Sequence, residues 1–140
     1  MRYLACMLVI IVFQLVSPFV AADRDEKPED VCASYFAAWK AKNWKKMAAL
    51  TTKTWRSSEK DPVGFFKDVY GFRSLSSAKI THVKRRGQIT VDVTVKVIYK
   101  GFRCVEEHVV TARMIRESAP FKPSPKGKWG VNPWSALKER

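Results

Sequence analysis

The sequence predicts an α+β domain, with three N-terminal helices packed on a curved antiparallel sheet of about four strands. Three observations predict it. Apolar residues recur at helical spacing between Val31 and Tyr70, the period drops to two after Ser74, and short turn-type segments divide the later part into consecutive strands.

The first helix starts near Val31, where Val31, Tyr35, Ala38, Trp39 and Lys42 follow helical spacing and Cys32 and Phe36 widen the stripe. Pro28 suits the first turn, and Glu29 and Asp30 favour its positive end. Asn43 offers a cap for a second helix, Trp44 to Leu50, with Trp44, Met47 and Ala48 inward. Asp61-Pro62 opens a third, in which Val63, Phe66, Val69 and Tyr70 share a face and Gly71 marks the stop. Strands are expected at Ala78 to Val83, Gln88 to Tyr99, Phe102 to Ile115 and Lys128 to Val131, with turns at Lys84 to Gly87 and Lys100-Gly101 and a loop over Pro120 to Pro125. In the second strand Ile89, Val91, Val93, Val95, Val97 and Tyr99 point one way, and Thr90, Asp92, Thr94 and Lys96 point to the other, solvated side.

Residues 1–22 have the layout of a secretory signal peptide: Arg2, an apolar run from Tyr3 to Val16, the break at Ser17-Pro18, and Val20-Ala21-Ala22 before a charged segment. Cleavage is expected after Ala22, leaving a short polar lead-in at 23–30 and a single domain at 31–140. The alternative is an uncleaved anchor over residues 3–22, about the length that spans a bilayer. Exported chains carry disulfides, so Cys32 and Cys104 are expected to pair, with two buried thiols as the alternative.

Removing Arg2 with the signal lowers the formal charge from +13 to +12. The cations fall in separate groups, Lys40 to Lys46, Lys84 to Arg86, Lys122 to Lys128 and Lys138 to Arg140. Such a surface attracts polyanions. For an exported bacterial-type chain these are anionic lipid, lipopolysaccharide and cell-wall polymers, and nucleic acid is out of reach. Nucleic-acid binding also needs exposed rings beside the cations, whereas Tyr35 and Trp39 lie on the apolar stripe.

The segments YFAAWKAKNWKKMAALT, DPVGFFKDVYG and KGKWGVNPWSAL resemble the nuclear transport factor 2-like superfamily, the cystatin-like α+β cone, in its small exported members. The resemblance covers Val31 to Leu137. It implies a cone that is hollow and binds a ligand, carries catalysis, or serves as an interaction module. Enzymes of this kind place acid and base groups in a dry interior. Here the inward face of the second strand is aliphatic, and Glu106 with His108 is the polar pair that parity aims inward.

The functional expectation is a non-enzymatic exported domain that needs no cofactor. It binds an apolar small molecule in its cone or serves as a protein interaction module in the cell envelope. The cone wall would be Tyr35, Trp39, Trp55, Phe66, Val93, Val95 and Tyr99. Two alternatives stand beside it: a small isomerase, dehydratase or hydrolase using His108 and Glu106, and charge-driven association with anionic lipid or polymer. His82 reads as an exposed strand residue, and no zinc-type ligand spacing or nucleophile motif occurs. The chain is expected as a monomer or homodimer, with self-association opposed by its charge.

Overall fold

The computed structural model describes residues 25–137. The expected signal peptide and anchor at 1–22 and the basic tail at 138–140 lie outside them. Helix α1, Pro28–Lys40, starts on a proline with Glu29 and Asp30 in its first turn, and buries Val31, Cys32, Tyr35, Phe36, Ala38 and Trp39. Lys42, at φ 53°, breaks it in the left-handed region. Asn43 then caps α2, Trp44–Ala49, by accepting the Lys46 N–H at 3.0 Å. Helix α3, Lys53–Ser58, is capped by Thr52, whose hydroxyl accepts the Trp55 N–H at 3.3 Å. Helix α4, Pro62–Tyr70, is capped by Asp61, which accepts the Gly64 N–H at 2.8 Å.

The sheet follows: β1 Ser74–Arg85, β2 Thr90–Lys100, β3 Val105–Ala119, β4 Lys122–Pro123 and β5 Lys128–Asn132, before a single turn of helix, α5 Pro133–Ala136. All strand pairs are antiparallel, in the order β1-β2-β3, with β4 and β5 both pairing β3. The expected architecture of three helices on about four strands is therefore corrected: among the described residues four helices precede a sheet of five strands, and a fifth helix follows it. Helix α3 is six residues long, too short to show a 3.6-residue period. Its anchor is distant in sequence: Thr54 donates to the buried carboxylate of Glu117 from its N–H at 3.0 Å and from its hydroxyl at 2.5 Å. Strand β4 exists because β3 continues past Ile115 and folds back across Pro120-Phe121, with Phe121 held at φ 59°.

Strand parity sets the core. Val91, Val93, Val95, Val97 and Tyr99 of β2 are all buried beneath the helices, opposite Met114, Ala112 and Val110 of β3. The two sheet edges differ. Along β5, Thr52 donates to Val131 O and Val131 donates to Leu50 O, both at 2.9 Å, so residues 50–52 close that edge. The approach is tight enough that a Cβ on Gly130 would lie 2.6 Å from Thr51 O. Strand β1 pairs only with β2 among the described residues, and its other edge is open.

The expected Cys32–Cys104 disulfide is not formed; both cysteines are free, Cys32 buried and Cys104 exposed. They sit at opposite ends of the helix–sheet layer. Near Cys32, Glu29 pairs with Arg85 at 3.0 Å at the far end of β1. Cys104 follows the β2–β3 turn, at the end where Trp39 donates to Arg73 O at 3.4 Å and packs on Tyr99. The helical rise from Cys32 to Lys40 is about 12 Å, beyond the roughly 7 Å Cα separation that a disulfide spans.

Candidate functional site

The structure brings Tyr35, Trp39, Trp55, Phe66, Val93, Val95 and Tyr99 into one core. That interior is occupied by interlocking rings. Phe66 contacts Tyr35 at 5.9 Å, Trp55 at 5.3 Å and Tyr70 at 5.7 Å, and Trp39 contacts Tyr70 at 4.5 Å. Burial pushes the Tyr70 hydroxyl up to about 12 and raises that of Tyr35 well above its ordinary value. Both hydroxyls are neutral at any physiological pH. The side chains expected to wall a ligand cavity therefore pack against one another.

Glu106 and His108 do turn to the helix-bearing side, but β3 runs beyond the helices there. Their side chains remain 39% and 26% exposed, joined by His108 Nε2 to Glu106 Oε2 at 3.1 Å. The His108 ring stacks on Tyr99 with centroids 4.9 Å apart, and Arg73 donates to Tyr99 Oη at 2.9 Å. Hydrogen bonds from His108 and then from Cys104 hold the Glu106 carboxyl below the ordinary range, and the bond to Glu106 raises the Cys104 thiol. Glu106 is thus ionised at neutral pH and unsuited to proton donation. A raised thiol is also a weak nucleophile. Around this cluster Phe72 and Phe102 are exposed, with Arg73 5.3 Å from the Phe72 ring and Arg103 5.8 Å from the Phe102 ring.

The second feature is the open flank of β1. A cleft of about 440 Å³ runs between α1 and β1, lined by Ala33, Phe36, Ala37, Leu75, Ala78 and Ile80, with Lys40 and Lys79 in its walls. Ala78 and Ile80 point toward the core layer, opposite Val97 and Val95, yet Ala78 is exposed and Ile80 half-buried. Most of β1 is exposed on both faces, and its sequence SLSSAKITHVKR contains no acid. Sequence periodicity identified the strand but gave no sign of the open edge, because openness depends on which strand is last in the sheet.

On the other face of the sheet, Asp92 departs from expectation. Parity does place it away from the helices, but it is buried rather than solvated. Arg113, its register partner on β3, donates from Nε at 2.9 Å and from Nη2 at 3.4 Å, and Arg86 donates from Nε. These bonds, those of Arg113 foremost, hold the Asp92 carboxyl below the usual range despite its burial. His82 is exposed, as are Lys40, Lys45 and Lys46. No helix among the described residues is long and apolar enough to cross a membrane.

No protein-family model matches the chain, and no curated protein matches it. Among solved structures, it is similar to a SEC-C motif containing protein from Psychrobacter arcticus, with a TM-score of 0.64 and 10% sequence identity over 86% of this chain and 67% of that one. At this identity the likeness concerns the fold.

Proposed function

We propose that this chain is an exported, non-enzymatic protein interaction module of the cell envelope, which takes an extended acidic segment of its partner along the open edge of β1. The relationship to nuclear transport factor 2-like domains belongs to the same proposal and rests on the sequence segments quoted above. The observation that carries the reading is the contrast between edges: residues 50–52 close the β5 side, whereas β1 lies open beside an apolar cleft. An added strand satisfies the outward backbone groups of an edge and places alternate side chains in a flanking groove. The charge selects the partner. Lys79 and Lys84, with no acid on the strand, favour acidic side chains, while antiparallel pairing with a second copy sets like charges against each other.

The test is an NMR titration of the labelled protein with a synthetic peptide alternating valine and glutamate. Amide shifts are expected along residues 74–85 and the exposed side of α1, weakening with added salt. Ala37→Trp, which fills the cleft from an exposed helix position, should abolish them. Shifts centred elsewhere, or unchanged by Ala37→Trp, overturn the assignment to this edge. Export carries its own check: the mass of protein recovered from outside the cytoplasm should correspond to a chain beginning at Asp23.

A further inference from the structure

The β2–β3 face away from the helices carries a cleft of about 310 Å³, lined by Arg86, Asp92, Thr111, Arg113, Asn132, Trp134 and Ser135. Its floor is built by register. Asp92 lies opposite Arg113, and Arg113 lies opposite Asn132, so three strands contribute to one row. The chain then turns into α5: Asn132 Oδ1 accepts the Trp134 N–H at 3.1 Å, and Ser135 Oγ accepts the Arg113 N–H at 2.8 Å and donates to Asn132 O at 2.7 Å. These bonds stand Trp134 at the rim. The residue is 55% exposed, yet Phe65 of α4 holds its ring edge-to-face with centroids 5.3 Å apart. A half-exposed indole fixed in this way is a platform rather than a mobile side chain.

The hydrogen-bonding balance defines what the platform faces. Both Asp92 oxygens are occupied by arginines, through Nε of Arg86 and through Nε and Nη2 of Arg113. Among the described residues, the Nη groups of Arg86, Nη1 of Arg113, Nδ2 of Asn132 and Nε1 of Trp134 have no protein partner. The cleft therefore offers donors, one excess positive charge, and one apolar ring face. A pyranose ring presents an apolar C–H face to an aromatic ring and hydroxyls around its rim, and an acidic one adds the carboxylate that guanidinium groups bind. The volume lies at the small end of ligand sites, about 300–1,000 Å³, as suits one sugar unit of a longer chain.

We infer that the Arg86–Arg113–Trp134 cleft is a binding site for an acidic saccharide, with Trp134 stacking on the sugar ring and the arginines taking its carboxylate. The site is separate from the β1 edge, and neither reading depends on the other. Thr111 and Asn132 supply hydroxyl and amide contacts to the ring substituents. An inorganic anion makes no use of the Trp134 platform, which distinguishes this cleft from the generally basic surface.

Calorimetry and indole NMR with a glucuronate-containing tetrasaccharide test the inference, with a neutral N-acetylglucosamine tetramer, inorganic phosphate and a mononucleotide as comparisons. The expected result is a shifted Trp134 indole signal and affinity about tenfold higher for the acidic than for the neutral sugar. Trp134→Ala should weaken binding about tenfold while Trp134→Phe retains most of it. Arg86→Gln, which leaves Arg113 on Asp92, should remove the preference for the acidic sugar. Amide spectra of each variant check that the fold is kept. The inference is overturned if no sugar binds at millimolar concentration, if phosphate binds equally well and Trp134→Ala has no effect, or if the nucleotide binds more tightly than either sugar.

Discussion

Asp92 and Glu106 lie toward opposite ends of the paired strands β2 and β3, each held by cationic or hydrogen-bonding neighbours, and their fates are inverted. Asp92 points to the face away from the helices and is 7% exposed at its side chain, whereas Glu106 points to the helix side and is 39% exposed. Strand parity assigns a face; what covers that face is decided by elements far away in sequence. The helices cover β2 and stop short of the end of β3 that carries Glu106 and His108. On the other face two arginines and the turn into α5 cover Asp92.

The largest expected effect comes from breaking the core that covers β2 on its helix side, the face opposite Asp92. Phe66 is fully buried and contacts four other rings, so Phe66→Ala leaves a cavity where Tyr35, Trp55, Phe65 and Tyr70 meet. Loss of about 3–5 kcal/mol is expected in urea unfolding. A loss below about 1 kcal/mol would mean that the interior is loosely filled and could receive a ligand after all.

A smaller effect is expected at Asp92. Replacing it with asparagine removes the charged acceptor of two arginines, at a cost of about 1–3 kcal/mol. The pH dependence gives the sharper reading. Because the folded carboxyl is held below its unfolded value of about 3.9, the folded state binds fewer protons across the acid range. The contribution of Asp92 is full above about pH 5 and is lost as pH falls through the lower folded value. Stability measured from pH 7 to pH 3 should therefore decline less steeply in Asp92→Asn than in the parent. Parallel curves for the two proteins would place the acid sensitivity on other carboxylates.

The same comparison shows what was legible in the sequence. The caps at Asn43 and Asp61 and the two-residue alternation from Val91 to Tyr99 are local signals, and the structure follows them. Helix α3 and β4 were not legible, since one is six residues and the other two, and both depend on partners across the sheet. The aromatic stripe identified the core residues correctly but could not distinguish a lined cavity from packed rings, because both use the same side chains. Asp92 shows the limit of parity most clearly: Arg86 is near enough in sequence to suggest a partner, whereas Arg113 and the cleft closed by Trp134 become neighbours only through register. The cysteine pairing failed for a similar reason. An even count says nothing of which end of a helix each thiol occupies.

The smallest effect on stability is expected at Glu106, and a chemical readout reveals it. Its exposed pair with His108 and its contact with Cys104 leave little to lose on mutation, so Glu106→Gln should not move the melting temperature. It should, however, release the Cys104 thiol from a neighbour that raises its pKa, and alkylation at pH 8 should be faster in the variant. Cys32 serves as the internal reference, because burial, with Glu29 adding to it, pushes its thiol up to about 12. In a chain beginning at Asp23, iodoacetamide should modify Cys104 in the native protein and Cys32 only after unfolding. Loss of reactivity at both positions after oxidative preparation, restored by reductant, would instead indicate a bond between two thiols that the fold holds apart.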